Sequence, residues 1–517
     1  MHICEKSSTF VPAFGKLVYT ILYDPLPSYT TLHDAFAIVA QLVEQRIRNA
    51  WVAGSSPASG SRIANHHSVV RYFFLHNQKK STTFAGEMKK IIFILLGVMC
   101  GIMLYAQYQT HSSHPNVRSL QIKYMNESLA SQRPFLTLKN GIVDGSEEEN
   151  TLLISFDELS HDLKQYSYTI KHLNYDWTQS DISSYEYVEG FTTADIIDYD
   201  HSINTQQEYV HYWFSFPNQD MQLTASGNYV LIIYEDGDVE NEVAQVCFSV
   251  VEPLAGIECK KRANTEIEFN GRYQQLDIDV NTSRLPIRDA EEIIVVVRQN
   301  GKLDNQVVLT RPTFQEPNRL RYINQKQLVF EGGNEFRHFD TYSTYYAGYH
   351  VNMVRYAMGE YHALLEVDDV RGTLKKGAGR EGTPYLTEED ANGQFVVNCE
   401  KTDYVNTEAE YMWVHFYLPV AQPLIDAHVF VGGDMFYNQY TAQNLMQYDV
   451  EKRCYHMQAY LKQGGYNYMY YAIGKNGATL LPLEGSHWQT RNEYSVDVYY
   501  RPFGSRYDRL VGKKITE

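Results

Sequence analysis

The chain has 517 residues, enough for several domains, and a formal net charge of −17. So acidic a body argues against nucleic acid and anionic lipid surfaces, which select stripes of Lys and Arg. Tyrosine is the unusual component, with 42 against 23 Phe and 5 Trp, and it favours a β-rich protein whose amphipathic rings half-bury on sheet faces.

Residues 1–87 read like non-coding DNA rather than a domain. The stretch Val39 to Pro57 resembles a translated transfer-RNA gene, since the T-arm sequence GGT-TCG-AGT-CC gives Gly54-Ser55-Ser56-Pro57. An amphipathic helix from about 33 to 51 is the competing reading, with Phe36, Ile38, Val39, Leu42, Val43 and Ile47 on one face. Next come the basic residues Lys89 and Lys90, an uncharged apolar run from Ile91 to Tyr105, and the small residue Ala106. That is the pattern of a cleaved secretory signal over 88–106. Its apolar run is shorter than the roughly 18–20 residues a spanning helix needs. Cys100 follows the large Met99, which does not suit a lipobox. The expectation is translation from Met88 and a mature chain from about Gln107. Removing residues 1–106 takes away ten Lys/Arg and five Asp/Glu, leaving a still more acidic body.

Beyond residue 107, period-two alternation dominates. Leu120–Tyr124, Tyr166–His172, Leu276–Val280, Tyr466–Tyr470 and Tyr494–Val498 each place one set of side chains on a core and the other toward water. Tyr229–Tyr234 and Ile293–Val297 are continuous apolar runs, suited to central strands. Turn signals separate these segments, among them Asn140-Gly141, Asp236-Gly237, Asn300-Gly301 and Asn392-Gly393. No helix longer than two or three turns is expected. The fold class is all-β, with tandem antiparallel Ig-like or early-set β-sandwich domains. A strand end at Val250-Val-Glu-Pro253 and a polar stretch over 368–402 set the expected domains at 107–252, 257–400 and 405–517. The cysteines in this part are Cys247, Cys259, Cys399 and Cys454, without CxxC or zinc spacing. Cys247 and Cys259 flank a junction, and either a disulfide or free thiols suits them.

Enzyme signatures are missing: there is no HExxH, P-loop or usable Gly-x-Ser-x-Gly, and no GxGxxG ahead of a helix. Asp157 with Asp162, or His211 beside Tyr212, would serve acid–base chemistry only if a spacing rule selected them, and none does. The expectation is a protein that is not an enzyme, with no cofactor, metal or small-molecule substrate.

Several segments recur in one order. They include Leu153-Ile-Ser-Phe156-Asp157, His172-Leu-Asn174-Tyr-Asp176-Trp177-Thr-Gln-Ser180, Tyr209-Val-His211-Tyr212 and Ser226-Gly-Asn228-Tyr229. Further on stand Val297-Arg-Gln-Asn300-Gly301, Phe330-Glu-Gly332-Gly333-Asn334-Glu335-Phe336-Arg337 and Tyr507-Asp508-Arg509-Leu510-Val511-Gly512. Together they resemble the type IX secretion system plug protein family of Bacteroidota, across nearly all of 112–517. The resemblance implies a non-enzymatic periplasmic protein, associated with the outer membrane. It would dock on the outer-membrane translocon barrel and close its periplasmic mouth when no cargo passes. Candidate interface residues are Trp177 and the segment Gly332, Gly333, Asn334, Glu335 and Arg337, since aromatic and Arg anchors typify interfaces. Equally, the glycine pair makes a tight bulge and Glu335–Arg337 an internal ion pair.

A second resemblance concerns Val429-Phe-Val431-Gly432-Gly433-Asp434 through Tyr468, which is similar to glycogen-binding early-set sandwiches. Tyr437 and Tyr440 fall near one sugar-stacking position, although neither is Trp and a second expected Trp is absent. This gives the alternative, an exported glycan-binding protein of the cell surface.

Overall fold

The computed structural model describes residues 107–517 apart from 130–132, 144, 161, 264 and 266–269. The expected export segment 88–106 and the stretch before it lie outside the described residues. Within them the chain is nearly all β, in mainly antiparallel sheets stacked as sandwiches. Its α-helices are the single turns Ser184–Tyr187 and Val405–Glu408.

In the first sandwich, one sheet runs His111–Ser112, Glu242–Val251, Gly227–Glu235, Tyr166–Leu173, Thr193–Ile196. The facing sheet runs Val117–Tyr124, Leu152–Glu158, Val210–Phe216, Asp198–His201. Alternating residues of both sheets, such as Ile154, Phe156, Leu231 and Phe248, interleave in one core. Tyrosine fills space here as expected: Tyr166 and Tyr212 meet edge to face at 5.0 Å, and Tyr168 stacks on Phe214 at 4.5 Å. Each fully buried apolar side chain of this kind contributes about 1.5–3 kcal/mol.

The second sandwich faces Gly256–Arg262, Tyr273–Asn281, Arg319–Tyr322 and Phe314–Glu316 against Val307–Leu309, Ile293–Gln299, Tyr494–Tyr500 and Arg509–Thr516. Its last two strands come from far along the chain, with Val498 opposite Val295. The third sandwich occupies the sequence between. Gly464–Gly474 and its neighbours cover a sheet ordered Val351–Ala357, Glu360–Leu365, Tyr411–Pro419, Cys454–Lys462, Gln447–Asp449. Pairing therefore groups 256–331 with 494–516 and sets 337–479 apart, where the sequence alone leads one to expect contiguous blocks 257–400 and 405–517. Alternation marks which face of a strand meets a core. It carries no information on which strand lies alongside.

One strand departs from its expected half-exposure. All of Tyr494–Tyr500 is buried, because its second face packs on the first sandwich through Val251, Tyr499 and Leu510. Asp497 on that face is satisfied by Arg298 Nη1 at 2.6 Å and Lys513 Nζ at 2.7 Å. Burial acts against its charge, yet Lys513 and Arg298 hold the carboxyl below its usual range. All four cysteines among the described residues are free thiols, and burial pushes Cys247 up to about 12.

Candidate docking surface

The residues singled out from sequence lie inside the chain's own packing. Trp177, on a tight turn with φ +64°, is 1% exposed and packs on Leu173, Val230, Ile232 and Cys247. The Arg133 guanidinium sits 4.4 Å over its ring. Gly332 to Arg337 form the strap from the second sandwich into the third. A Cβ at Gly332 would stand 2.2 Å from the His487 carbonyl oxygen, so only glycine fits. Asn334 Nδ2 donates to the Glu484 carbonyl at 2.9 Å, and Glu335 accepts from Tyr385 Oη. Arg337 turns elsewhere, to Asp368 at 2.7 Å and Glu484 at 2.9 Å. The glycine pair thus makes a close backbone approach, while the ion pair of the strap runs to distant carboxylates. Tyr437 packs against the first core. Tyr440 lies between Phe430 and Tyr471 at 5.5 Å from each and bonds Asp304 at 3.1 Å. Neither ring offers an open stacking face.

What the chain does expose is a run of aromatic and methionine side chains on the third sandwich. Tyr345, Tyr346, Tyr349, Met353, Tyr356 and Met358 face solvent, Tyr345 at 80% and Met358 fully. They sit before, on and just after Val351–Ala357, the edge strand of its sheet. Ala357 pairs with Glu360, so Met358 and Gly359 form a two-residue hairpin loop with φ of +56° and +89°. That loop favours Asn-Gly. A methionine there accepts backbone strain of about 1 kcal/mol while placing a large apolar side chain in water, a combination that points to function.

The surface continues across a locked junction. Tyr356 Oη donates to Gln206 of the first sandwich at 3.1 Å, and Ile203 N donates to the Thr407 carbonyl at 2.9 Å. Tyr404 and Ile203 are exposed on the two sides of that contact. Beneath it, buried Glu410 accepts from Gln206 N at 2.5 Å and Gln207 N at 3.1 Å. Deeper still, Asp157 accepts from His211 Nδ1 at 2.6 Å, Tyr411 Oη at 2.7 Å and Lys462 Nζ at 2.7 Å. Burial disfavours the Asp157 carboxylate, but Lys462 and His211 overcome this and hold it below the usual range. The ammonium also lies 4.1 Å from the Tyr209 ring. Asp157 and His211 of the sequence analysis do meet, as a structural clamp with every Asp157 oxygen engaged. Sequence reasoning missed the exposed run itself. Its signal was the dense Tyr342-Ser-Thr-Tyr345-Tyr346-Ala-Gly-Tyr349, which breaks the alternation of a half-buried strand.

The fold and this surface define a multi-sandwich β protein with an exposed, aromatic-rich face. A family model described as the type 9 secretion system plug protein 1st domain matches residues 117–252, the first sandwich. A crystal structure of a hypothetical protein from Parabacteroides merdae is similar at 33% identity and a TM-score of 0.73, covering 80% of this chain and 99% of that one. No curated protein matches the sequence. The chain belongs to the type 9 secretion system plug protein family. Membership places it with the non-catalytic components of type 9 secretion, in association with that machinery and at the cell envelope. Among the described residues, no helix is long and apolar enough to cross a membrane.

Proposed function

We propose that the chain is a periplasmic gating subunit that docks on the outer-membrane translocon barrel and seals its periplasmic opening when idle. Export through a cleaved segment at 88–106 delivers it to that side. The family match over the first sandwich carries the reading. The exposed aromatic run across the Asp157–Lys462 clamp supports it by supplying an anchor-rich face that spans two sandwiches joined by buried ion pairs and hydrogen bonds. A channel wide enough for folded cargo leaks unless blocked, and stacked sandwiches make a stiff stopper. The glycan-binding alternative draws no support from Tyr437 and Tyr440, whose rings are occupied within the chain.

Purification of the translocon from native membranes tests the proposal. The chain is expected to co-purify, and its deletion to make the outer membrane permeable to large solutes. A deletion strain with a normal barrier, together with a translocon that never carries the chain, overturns it.

A further inference from the structure

A second feature is independent of docking. Where the three sandwiches meet, a cleft of about 540 Å³ is lined by Arg133 of the first, Arg298 and Lys513 of the second, and Gln394 of the third. In so acidic a chain, three cations around one cleft are unusual. Asp497 is bonded to two of them, Arg298 Nη1 at 2.6 Å and Lys513 Nζ at 2.7 Å. Arg298 is 1% exposed and also donates from Nε to Gln306 at 3.2 Å. Its Nη2, and Nη1 of Arg133, are buried with no hydrogen-bond partner among the described residues.

An unpartnered guanidinium nitrogen away from water is costly, and more so beside like charges. Burial and the nearby Arg298 bring Arg133 down to about 10, and both guanidiniums line the one cleft. Other acids also border the cleft. Burial pushes the Asp434 and Glu493 carboxyls upward. Glu127 and Glu149 are exposed, where solvent screens them.

We propose that this cleft is an oxyanion site, in which a phosphate or carboxylate group accepts from Arg133 Nη1 and Arg298 Nη2. Guanidiniums match both groups geometrically. An anion held there would bond to the first and second sandwiches at once.

Calorimetric titration of the purified protein with inorganic phosphate and, separately, with acetate tests this, against chloride at matched ionic strength. Saturable binding of at least one oxyanion and none of chloride is expected. Phosphate alone marks a tetrahedral anion, and acetate alone marks a peptide carboxylate. Arg298→Gln removes one of the two cations that hold buried Asp497 and endangers folding, so Arg133→Gln is the variant of choice, with affinity lowered at least tenfold while the protein remains folded. The proposal is overturned if neither oxyanion saturates, if chloride binds equally, or if Arg133→Gln binds as the parent does.

Discussion

Lys462 Nζ lies 2.7 Å from Asp157 Oδ2, with both side chains at most 2% exposed, and this contact fastens the third sandwich to the first. Removing Lys462 leaves the buried Asp157 carboxylate without its ammonium partner, and breaking a buried pair in this way costs about 3–5 kcal/mol. Lys462→Met is therefore expected to lower the unfolding free energy in urea by that amount. Adding Asp157→Asn recovers part of the loss, because no net charge is then stranded. A single variant as stable as the parent contradicts the clamp.

Acid should weaken a second network. Burial alone would raise Asp368, but Arg337, His350 and Tyr470 bring it down to about 2. A depressed carboxyl adds stability above its unfolded value near 3.9, and that stability fades as pH falls toward 2. The contribution is on the order of 2 kcal/mol. Melting temperatures measured from pH 5 to 2 should fall less steeply for Asp368→Asn than for the parent, although the variant starts lower.

Gly332 and Gly237 separate two reasons for needing glycine. A methyl at Gly332 collides with the His487 carbonyl, whereas at Gly237 (φ +71°) it meets open space. Gly332→Ala is expected to cost about 3 kcal/mol from overpacking against backbone. Gly237→Ala should cost only about 1 kcal/mol of backbone strain. Thermal or denaturant unfolding of the pair checks the difference.

The exposed run should matter for docking and not for folding. Tyr345→Ser and Tyr404→Ser are expected to leave stability within about 0.5 kcal/mol and to weaken capture by purified translocon by about tenfold or more each. Met358→Asn should raise stability by about 0.5–1 kcal/mol, since Asn suits a left-handed loop position, while lowering capture. Unchanged capture by all three variants would place the docking face elsewhere.

Much of the fold was legible because a sandwich strand writes its burial into alternate positions. Leu276, Ile278 and Val280 all reach the second core, as their spacing requires. Partnership was not legible. Nothing in Tyr494–Val498 announces that Val498 lies opposite Val295, since any alternating strand offers the same backbone pattern. The burial of the candidate site residues was not legible for a related reason. Trp177 and Arg337 have the chemistry of interface anchors, and that chemistry also suits the inside of a multidomain protein, where rings and guanidiniums bridge modules. Exposure distinguishes the two uses, and exposure is a tertiary property.

Because residues 494–516 supply two strands of the middle sandwich, that module stays open along one side until the tail has emerged. A chain folding in order from its N-terminal side would finish its first and inserted modules before zipping the host. Loss of those closing strands would leave an apolar trough and an unpaired edge along Ile293–Gln299, an invitation to aggregation.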